Sequence, residues 1–567
     1  MRPITRDPET IFKILFGFTT IALVVSIVLL ASVPPVSRDA LTHHLAVPKL
    51  YLQHGKMVEL PNVPFSYYPM NLDLLYILPL YFGNDIVPKF IHFLFALMTA
   101  GLLFGFLKKR LGTLYAMIGS LMFLSTPVIV KLSITVYVDL GLVFFSTAAL
   151  IYLVKWSEAD LSIRHLILSA VFCGLALGTK YNGLVTFFLM TIFVPFIYIR
   201  SKAEQYRLQG KTVAYTAIYA IIALLVFSPW MIRNVYWTGN PVYPLYNRFF
   251  STNTAVQQNS VPDELKKEIK DRTGDWGHIA IRRIIFKESW AEIASIPIRI
   301  FFQGQDDNPK YFDGKLNPFL LFLPIFAFFP RRKNLPIGNF QRKLLVSFVM
   351  LFLMISFLRT SIRIRYILPV LPALIILSST GLHNLVRMIN NSFSPLLRRC
   401  GTVSVTTAML LLFGINATYV VNQFRIVDPL NYLSGRIGRE DYISRYRPEY
   451  PVMKYANIHL ASSDKILGLY LGNRRYYCGR EIIFGEDFLT RSTILASSAE
   501  DLSNVLTNRG FTHVLAHLDL VKQWVGTLNE RERAIFVAFF NRQLHVLDKN
   551  TPYVLFEMSN CKDRNPI

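Results

Sequence analysis

Charge is scarce in this 567-residue chain. Asp, Glu, Lys and Arg make up 17% of its residues, where a soluble globular protein carries about 25%. With 52% hydrophobic residues and a mean hydropathy of +0.37, such a chain is not built to face water on every side. Cysteine is rarer still: there are four, and none has a neighbour at metal-binding spacing. Cys173 and Cys400 fall in or beside apolar runs and read as inert packing residues. Cys478 and Cys561 lie in a polar region, where a disulfide is open to them in an oxidising compartment. Acidic residues are outnumbered 36 to 60, leaving a formal net charge of +24. No basic run interleaved with aromatics stands outside the apolar segments, so nucleic acid is not among the expected partners. The excess of Lys and Arg fits helix ends that set orientation and meet anionic lipid.

Apolar runs are what the chain has in abundance, many approaching the ~20 residues a spanning helix needs. The first, Ile14–Val33, follows a basic start and is too long for a signal h-region. With more runs behind it, it reads as a retained helix. Counting the runs gives about eleven spans, the weakest pair flanking Gly178 to Gly183, where two short runs could be one interrupted helix. The expected fold is a polytopic α-helical membrane protein over residues 1–423, with an α/β domain over 424–567. Lys108–Arg110, Arg200–Lys211, Arg331–Lys333 and Arg398–Arg399 all fall on one side if the N-terminus is cytoplasmic and the count odd. The polar loops 34–85 and 234–315 and the C-terminal domain then face the periplasm of a bacterial inner membrane. Within the loops, Leu72–Tyr81 and Ile279–Phe301 suit helices lying flat at the interface. In the C-terminal region Lys465–Leu471, His513–Ala516 and Tyr553–Phe556 read as strands. Pro451–Leu460, Ala499–Thr507 and Asn529–Phe540 read as helices. That region contains no Gly-rich phosphate loop, triad spacing or metal cluster.

Several ionisable residues fall at the outer edge of the membrane part. Asp39 follows the first span and is joined by His43 and His44, which could orient it or bind a metal, although no HExxH spacing supports a metal site. Asp139 opens the fourth span, where two readings stand. An ionisable group beside hydrocarbon is a functional candidate, and a carboxylate at a helix start is also favoured by the macrodipole. Lys180, Tyr181, Arg233, Arg363 and Arg365 lie on the same side, against the positive-inside bias. An anionic lipid headgroup accounts for them, since guanidinium groups bind phosphate bidentately; snorkelling to ordinary phospholipid is the alternative. Together these residues make a place for a phosphate-linked sugar whose lipid tail stays in the bilayer.

The ordered segments sharpen this. Asp39 with His-His-Leu-Ala-Val-Pro-Lys-Leu-Tyr, Tyr67-Tyr68-Pro69-Met70, Tyr137-Val138-Asp139, Gly174 to Tyr181, Trp230 to Asn234 with Thr238 to Pro244, and Arg365-Tyr366-Ile-Leu-Pro follow one another along the chain. In this the sequence resembles the bacterial GT-C membrane glycosyltransferases, the superfamily of protein O-mannosyltransferases and of the enzyme that adds aminoarabinose to lipid A. The resemblance implies a catalytic carboxylate at Asp39, a second acid at Asp139, and Lys180 and Arg365 near a donor phosphate. It implies inverting transfer of a sugar from a polyprenyl-phosphate donor to a lipid, glycan or protein acceptor. Many relatives carry an Asp-Glu pair where this chain has Asp39-Ala40. A divalent metal is therefore left open, with His43 as a contact for it. The readings set against a transferase are a flippase of lipid-linked sugar and a membrane scaffold. A flippase predicts internal repeats and midplane charges, and neither is evident.

Overall fold

The computed structural model describes residues 8–201, 208–250, 278–329, 336–359, 362–391 and 394–559. Cys561, Lys202, Arg207 and Arg331–Lys333 lie outside the described residues, and with Cys561 goes any statement on a Cys478–Cys561 bond.

Each apolar run of the sequence is carried by a helix. Among the described residues, eight helices are long and apolar enough to cross a membrane, or nine if one bent pair is a single span. They include α1 (Pro8–Ala31) and, after the short interfacial helices α2 (Ala46–Gln53) and α3 (Asn71–Tyr81), α4 (Val87–Leu111). The bent pair is α5 (Thr113–Ser125) and α6 (Pro127–Ser133), which meet at 63°. Pro127 is the cause: it opens α6 and holds Thr126 at an extended ψ of 127°, as a residue before proline prefers. Next come α7 (Asp139–Glu158), α8 (Ile163–Leu177), α9 (Gly183–Ser201) and α10 (Leu208–Thr238). Gly178 to Gly183 is thus a loop between two helices, not a kink in one. The helix Asn339–Arg359, the stretch Ile364–Asn390 and the helix Pro395–Val427 complete the set. Two expected spans are shorter, α8 at 15 residues and Phe319–Phe326 at eight.

Aromatic and aliphatic side chains such as Phe18, Val213, Leu225 and Leu410 are more than two-thirds exposed on the outside of this bundle, as lipid-facing positions require. The expected interfacial helix over Ile279–Phe301 is instead broken into short turns, His278–Ala280, Ile281–Ile285, Trp290–Ala294 and Ile296–Arg299. A buried Glu288 ties these turns together through Arg282 at 3.0 Å and Arg299 at 3.1 Å.

The C-terminal unit is a five-stranded sheet in the order β2-β1-β3-β5-β4. Its strands are β1 (Lys465–Leu469), β2 (Glu481–Phe484), β3 (His513–His517), β4 (Leu544–Asn550) and β5 (Tyr553–Met558). The first three are parallel and the last two antiparallel to their neighbours. Helices and loop residues such as Leu502, Leu506, Phe536 and Phe539 pack on one face to form a core separate from that of the bundle.

The segment after β1 docks this unit on the bundle. Arg475 and Tyr476 donate their N–H groups to Leu41 O at 3.1 and 3.0 Å, and Arg439 reaches Asp85 at 2.5 Å. The C-terminal unit, the loop after α1, and the starts of α4, α7 and α9 therefore share one end of the bundle.

Candidate active site

Asp39 sits where the chain leaves α1 and enters a π-helical turn, Ala40–His44. Leu45 N–H reaches back to Ala40 O at 2.9 Å. The wider turn brings His43 and His44 to the same cavity as Asp39. Such turns recur at functional sites. The Asp39 carboxylate accepts from Arg365 Nη1 at 2.5 Å. Arg365 itself lies 4.0 Å from Asp313, which also takes Arg363 at 3.3 Å. Tyr137 and Tyr366 flank the Arg365 guanidinium at 5.3 and 5.2 Å. Burial alone would raise the Asp39 carboxyl, but Arg365, as charge and as hydrogen-bond donor, together with His43 and His44 outweighs it and holds the group well below the usual carboxylate range.

Asp139 is the first residue of α7, with its side chain 1% exposed and Lys180 Nζ at 2.8 Å from Oδ1. Its Oδ2 is buried without a protein partner. His92 fixes the start of α7. Its Nδ1 lies 3.0 Å from both Leu132 O and Thr135 O, and its Nε2 accepts from Leu140 N–H at 3.0 Å. A backbone N–H can only donate, so the ring proton is on Nδ1, and one of the orphan donors of the helix start is satisfied.

A third acid, Asp73 on α3, holds His44 Nδ1 at 2.7 Å, both side chains nearly closed to solvent. Burial acts against charge on each, pushing the His44 imidazole down to about 3 and the Asp73 carboxyl up to about 7. His43 stacks on Phe65 at 4.4 Å and lies tilted against His44 at 4.0 Å, and its Nδ1 is buried without a partner.

These groups surround a cavity of about 990 Å³ whose lining includes Asp39, His43, His44, Asp73, Lys180 and Arg365. Tyr181 lines it with its ring, while its hydroxyl is committed to Tyr243 O at 2.8 Å. Towards the bundle its walls are apolar, with Leu184, Val185, Phe187 and Phe188 of α9 facing Ile355. A second cavity, about 470 Å³, lies against the C-terminal unit and takes in Tyr442, Tyr446, Arg447 and Arg474. Arg38, Asp39, Arg363 and Arg365 line both. The Asp39–Arg365 pair is thus the partition between them.

One expected phosphate ligand stands elsewhere. Arg233 is not on the wall of either cavity. Its Nη2 donates to Tyr67 O at 2.6 Å and to Asn234 Oδ1 at 2.8 Å, and its guanidinium lies against Trp230 and Trp237 at 4.6 and 4.8 Å. With Nε and Nη2 committed to Asn234 and the loop that carries Tyr68, and Nη1 buried without a protein partner, it braces the wall from behind. Nor do His43 and His44 build a metal centre: among the described residues no three His, Cys, Asp or Glu side chains are grouped to hold an ion.

Arg38, Asp73, His92 and Asp313 are the site residues the sequence reading passed over. Asp73 had a signal, a lone carboxylate within the apolar run Leu72–Tyr81. Asp313 had none, since it sits in a long loop and meets Arg363 only in the fold.

Residues 52–238 match the model of the dolichyl-phosphate-mannose-protein mannosyltransferase family. No curated protein sequence matches the chain. Among solved structures, ArnT from Cupriavidus metallidurans bound to undecaprenyl phosphate superposes with a TM-score of 0.55 at 15% identity, over 96% of this chain and 97% of that one. Its apo state gives the same TM-score and identity over 97% and 98%. The Archaeoglobus fulgidus oligosaccharyltransferase in complex with Zn and sulfate superposes with 0.52 at 11% identity, over 95% of this chain and 73% of that one. The fold expected from the ordered segments of the sequence is borne out: this chain has the architecture of the GT-C superfamily of membrane glycosyltransferases.

Proposed function

We propose that this protein transfers a sugar from a polyprenyl-phosphate donor to an acceptor at the outer face of a bacterial inner membrane, with inversion at the anomeric carbon. The observation that carries the reading is the Asp39–Arg365 pair standing between two cavities, one walled by apolar helix residues and one by the C-terminal unit.

In the larger cavity, Phe187, Phe188 and Ile355 suit a lipid tail, and Lys180, Arg363 and Arg365 suit its phosphate. The sugar then extends towards Asp39. An acceptor hydroxyl enters from the smaller cavity, on the opposite side of the anomeric carbon from the phosphate. Asp39 takes its proton as the new C–O bond forms. The anomeric carbon–phosphate oxygen bond breaks, and the phosphate leaves with the electron pair, its growing charge met by fixed cations. Asp139 does not reach the reacting atoms in this scheme. It is a positioning residue that holds Lys180, while Asp73 sets the orientation of His44. No step runs through a metal, because the described side chains at this site do not supply a donor set.

The described cations Lys108–Arg110, Arg200, Arg398 and Arg399 lie at the bundle end away from the sheet, which supports a cytoplasmic N-terminus and a periplasmic C-terminal domain over residues 424–567. The acceptor class is a lipid, glycan or protein.

The test is donor hydrolysis and transfer in detergent with radiolabelled polyprenyl-phosphate sugars, comparing the native chain with Asp39→Asn. Release or transfer by the native chain, reduced about 10²–10⁴-fold in the variant, is expected. Lipid binding without turnover by either, across a broad donor panel, would sink the reading in favour of a flippase or scaffold.

A further inference from the structure

The segment that follows β1 does not turn straight back into the sheet. Tyr470, Gly472 and Asn473 all have φ near +60°, a sharp reversal that projects the tip away from the strands. The tip is held on both sides. Tyr470 N–H donates to Glu486 Oε1 at 2.8 Å, Arg474 pairs with the buried Glu449, and Tyr477 OH donates to Pro35 O at 2.8 Å.

The strongest hold is on the Asp39 turn itself. Leu45 N–H bonds Ala40 O and leaves Leu41 O to other donors, and that carbonyl accepts from both Arg475 and Tyr476. Gly472 permits the close approach this needs. A methyl group there would stand 2.7 Å from Arg474 Nη1 and 3.8 Å from Arg38 Nε.

The clamp delivers two neighbouring residues to two places. Arg474 lines the smaller cavity, and Asn473 is the C-terminal unit's contribution to the wall of the larger one. There it brings a neutral carboxamide, as Asn182 does from the loop before α9. The cations of that cavity suit a phosphate and its apolar residues a lipid. A sugar needs neutral groups that donate and accept to adjacent hydroxyls, which a carboxamide does. The hydroxyls of Thr42 and Thr179 are committed to Arg38 O and Leu175 O at 2.7 and 2.8 Å. The Asn473 amide makes no hydrogen bond to the described residues.

We propose that Asn473 contacts the donor sugar, so that the choice of sugar is read across the junction between the C-terminal unit and the membrane bundle. The proposal rests on the donor assignment of the larger cavity made above.

Equilibrium binding in detergent tests it without requiring turnover. The probes are undecaprenyl phosphate and its mannose, glucose and pentose conjugates. Asn473→Gly removes the amide and keeps the positive φ at no steric cost. Asn473→Ser is a second variant that loses the carboxamide and adds no charge beside the phosphate cations. Both are expected to weaken a sugar-linked lipid about 5–10-fold, the effect of one or two lost hydrogen bonds, unequally among the sugars and with undecaprenyl phosphate itself unaffected. Equal losses for conjugates and free lipid phosphate would mean a structural loop and overturn the proposal, as would unchanged binding throughout. Absence of turnover by the native chain, with sugar selectivity still lost in Asn473→Gly, would remove the transferase reading and leave this one. Full turnover with unaltered selectivity would do the reverse.

Discussion

Asp39 and Arg365 are 326 positions apart in the chain, and their side chains meet at 2.5 Å in the wall between two cavities. The pairing gives a carboxylate that stays ionised in a half-closed site. It also ties the loop after α1 to the 3-10 turn that opens at Ile364 behind an extended Arg363, so that the proposed base and the proposed phosphate cations are held together.

Removing the arginine separates these roles. In Arg365→Gln, the largest attraction holding the Asp39 carboxyl down is lost while its burial remains, so the carboxyl rises from well below the usual carboxylate range. A base that must be ionised is lost as pH falls through its own value, so the acid limb of the pH–rate profile is expected to move to higher pH. At the plateau, kcat/KM is expected to fall about 10²–10³-fold for a lost charge-stabilising donor. An acid limb that stays where it is in the native enzyme would remove Asp39 from the role of base.

Lys180 and Asp139 make a different kind of pair, with the carboxylate side chain 1% exposed and the ammonium 18%. Breaking such a pair from one side leaves a buried charge uncompensated, at a cost of about 3–5 kcal/mol. Lys180→Met alone should therefore destabilise the detergent-solubilised protein more than Lys180→Met with Asp139→Asn. Thermal unfolding of the four proteins of a double-mutant cycle measures the coupling, and additive losses would contradict the pairing.

Much of this architecture was legible in the sequence. Strands β1, β3 and β5 are short apolar runs between turn residues, and the sequence reading finds them. Strands β2 and β4 are at the two edges of the sheet. Strand β2 escapes that reading because it is only four residues long, Glu481–Phe484, and β4 because an edge strand need not be apolar: His545, Val546 and Lys549 are exposed, and a bulge at Val546/Asp548 breaks the alternation. The same logic divides the site. Asp39, Asp139, Lys180 and Arg365 stand out because each is a charge beside an apolar run. Arg38 and Asp313 do not, since a charged residue in a polar loop is the ordinary case until the fold turns it towards a cavity. Arg233 stands out for the same reason as Lys180, and only the fold reveals that its donors go to the backbone of Tyr67 and Tyr68.

His44 and Asp73 set how the stability of the protein responds to pH. Folded, the imidazole titrates near 3 and the carboxyl near 7; unfolded, the values are about 6.5 and 3.9. Between about pH 4 and 6.5 the folded pair holds its proton on Asp73, and the unfolded chain holds one on His44. No net proton is exchanged on unfolding, so the pair leaves stability level across this window. Asp73→Asn breaks the balance. The depressed imidazole then contributes stability that is present above about pH 6.5 and lost as pH falls towards 3. Thermal unfolding from pH 4 to 7 should show the difference between native and variant widening on acidification. A constant difference would mean that the two groups do not share a proton.

Asp85 holds the junction through Arg439 and Tyr476. Its carboxylate is 5% exposed as a residue and takes Arg439 at 2.5 Å and Tyr476 OH at 3.3 Å. Arg439 is 42% exposed at its side chain and can turn to water when the partner is lost. The cost of Asp85→Ala therefore falls on Tyr476, whose hydroxyl is left buried, about 1–3 kcal/mol for an unsatisfied group. That penalty is small for a bundle of this size but large for one loop, so the variant should stay folded while the docked segment opens more often. The Arg475 and Tyr476 amides report on this directly, because both donate to Leu41 O in the Asp39 turn. Hydrogen exchange is expected to quicken about 5–100-fold at these two amides, the same 1–3 kcal/mol expressed as a rate, with the β3 and β5 amides unchanged. If the sheet amides quicken by the same factor, the unit opens as a whole and Asp85 is a global brace, not a clasp on the Asp39 turn.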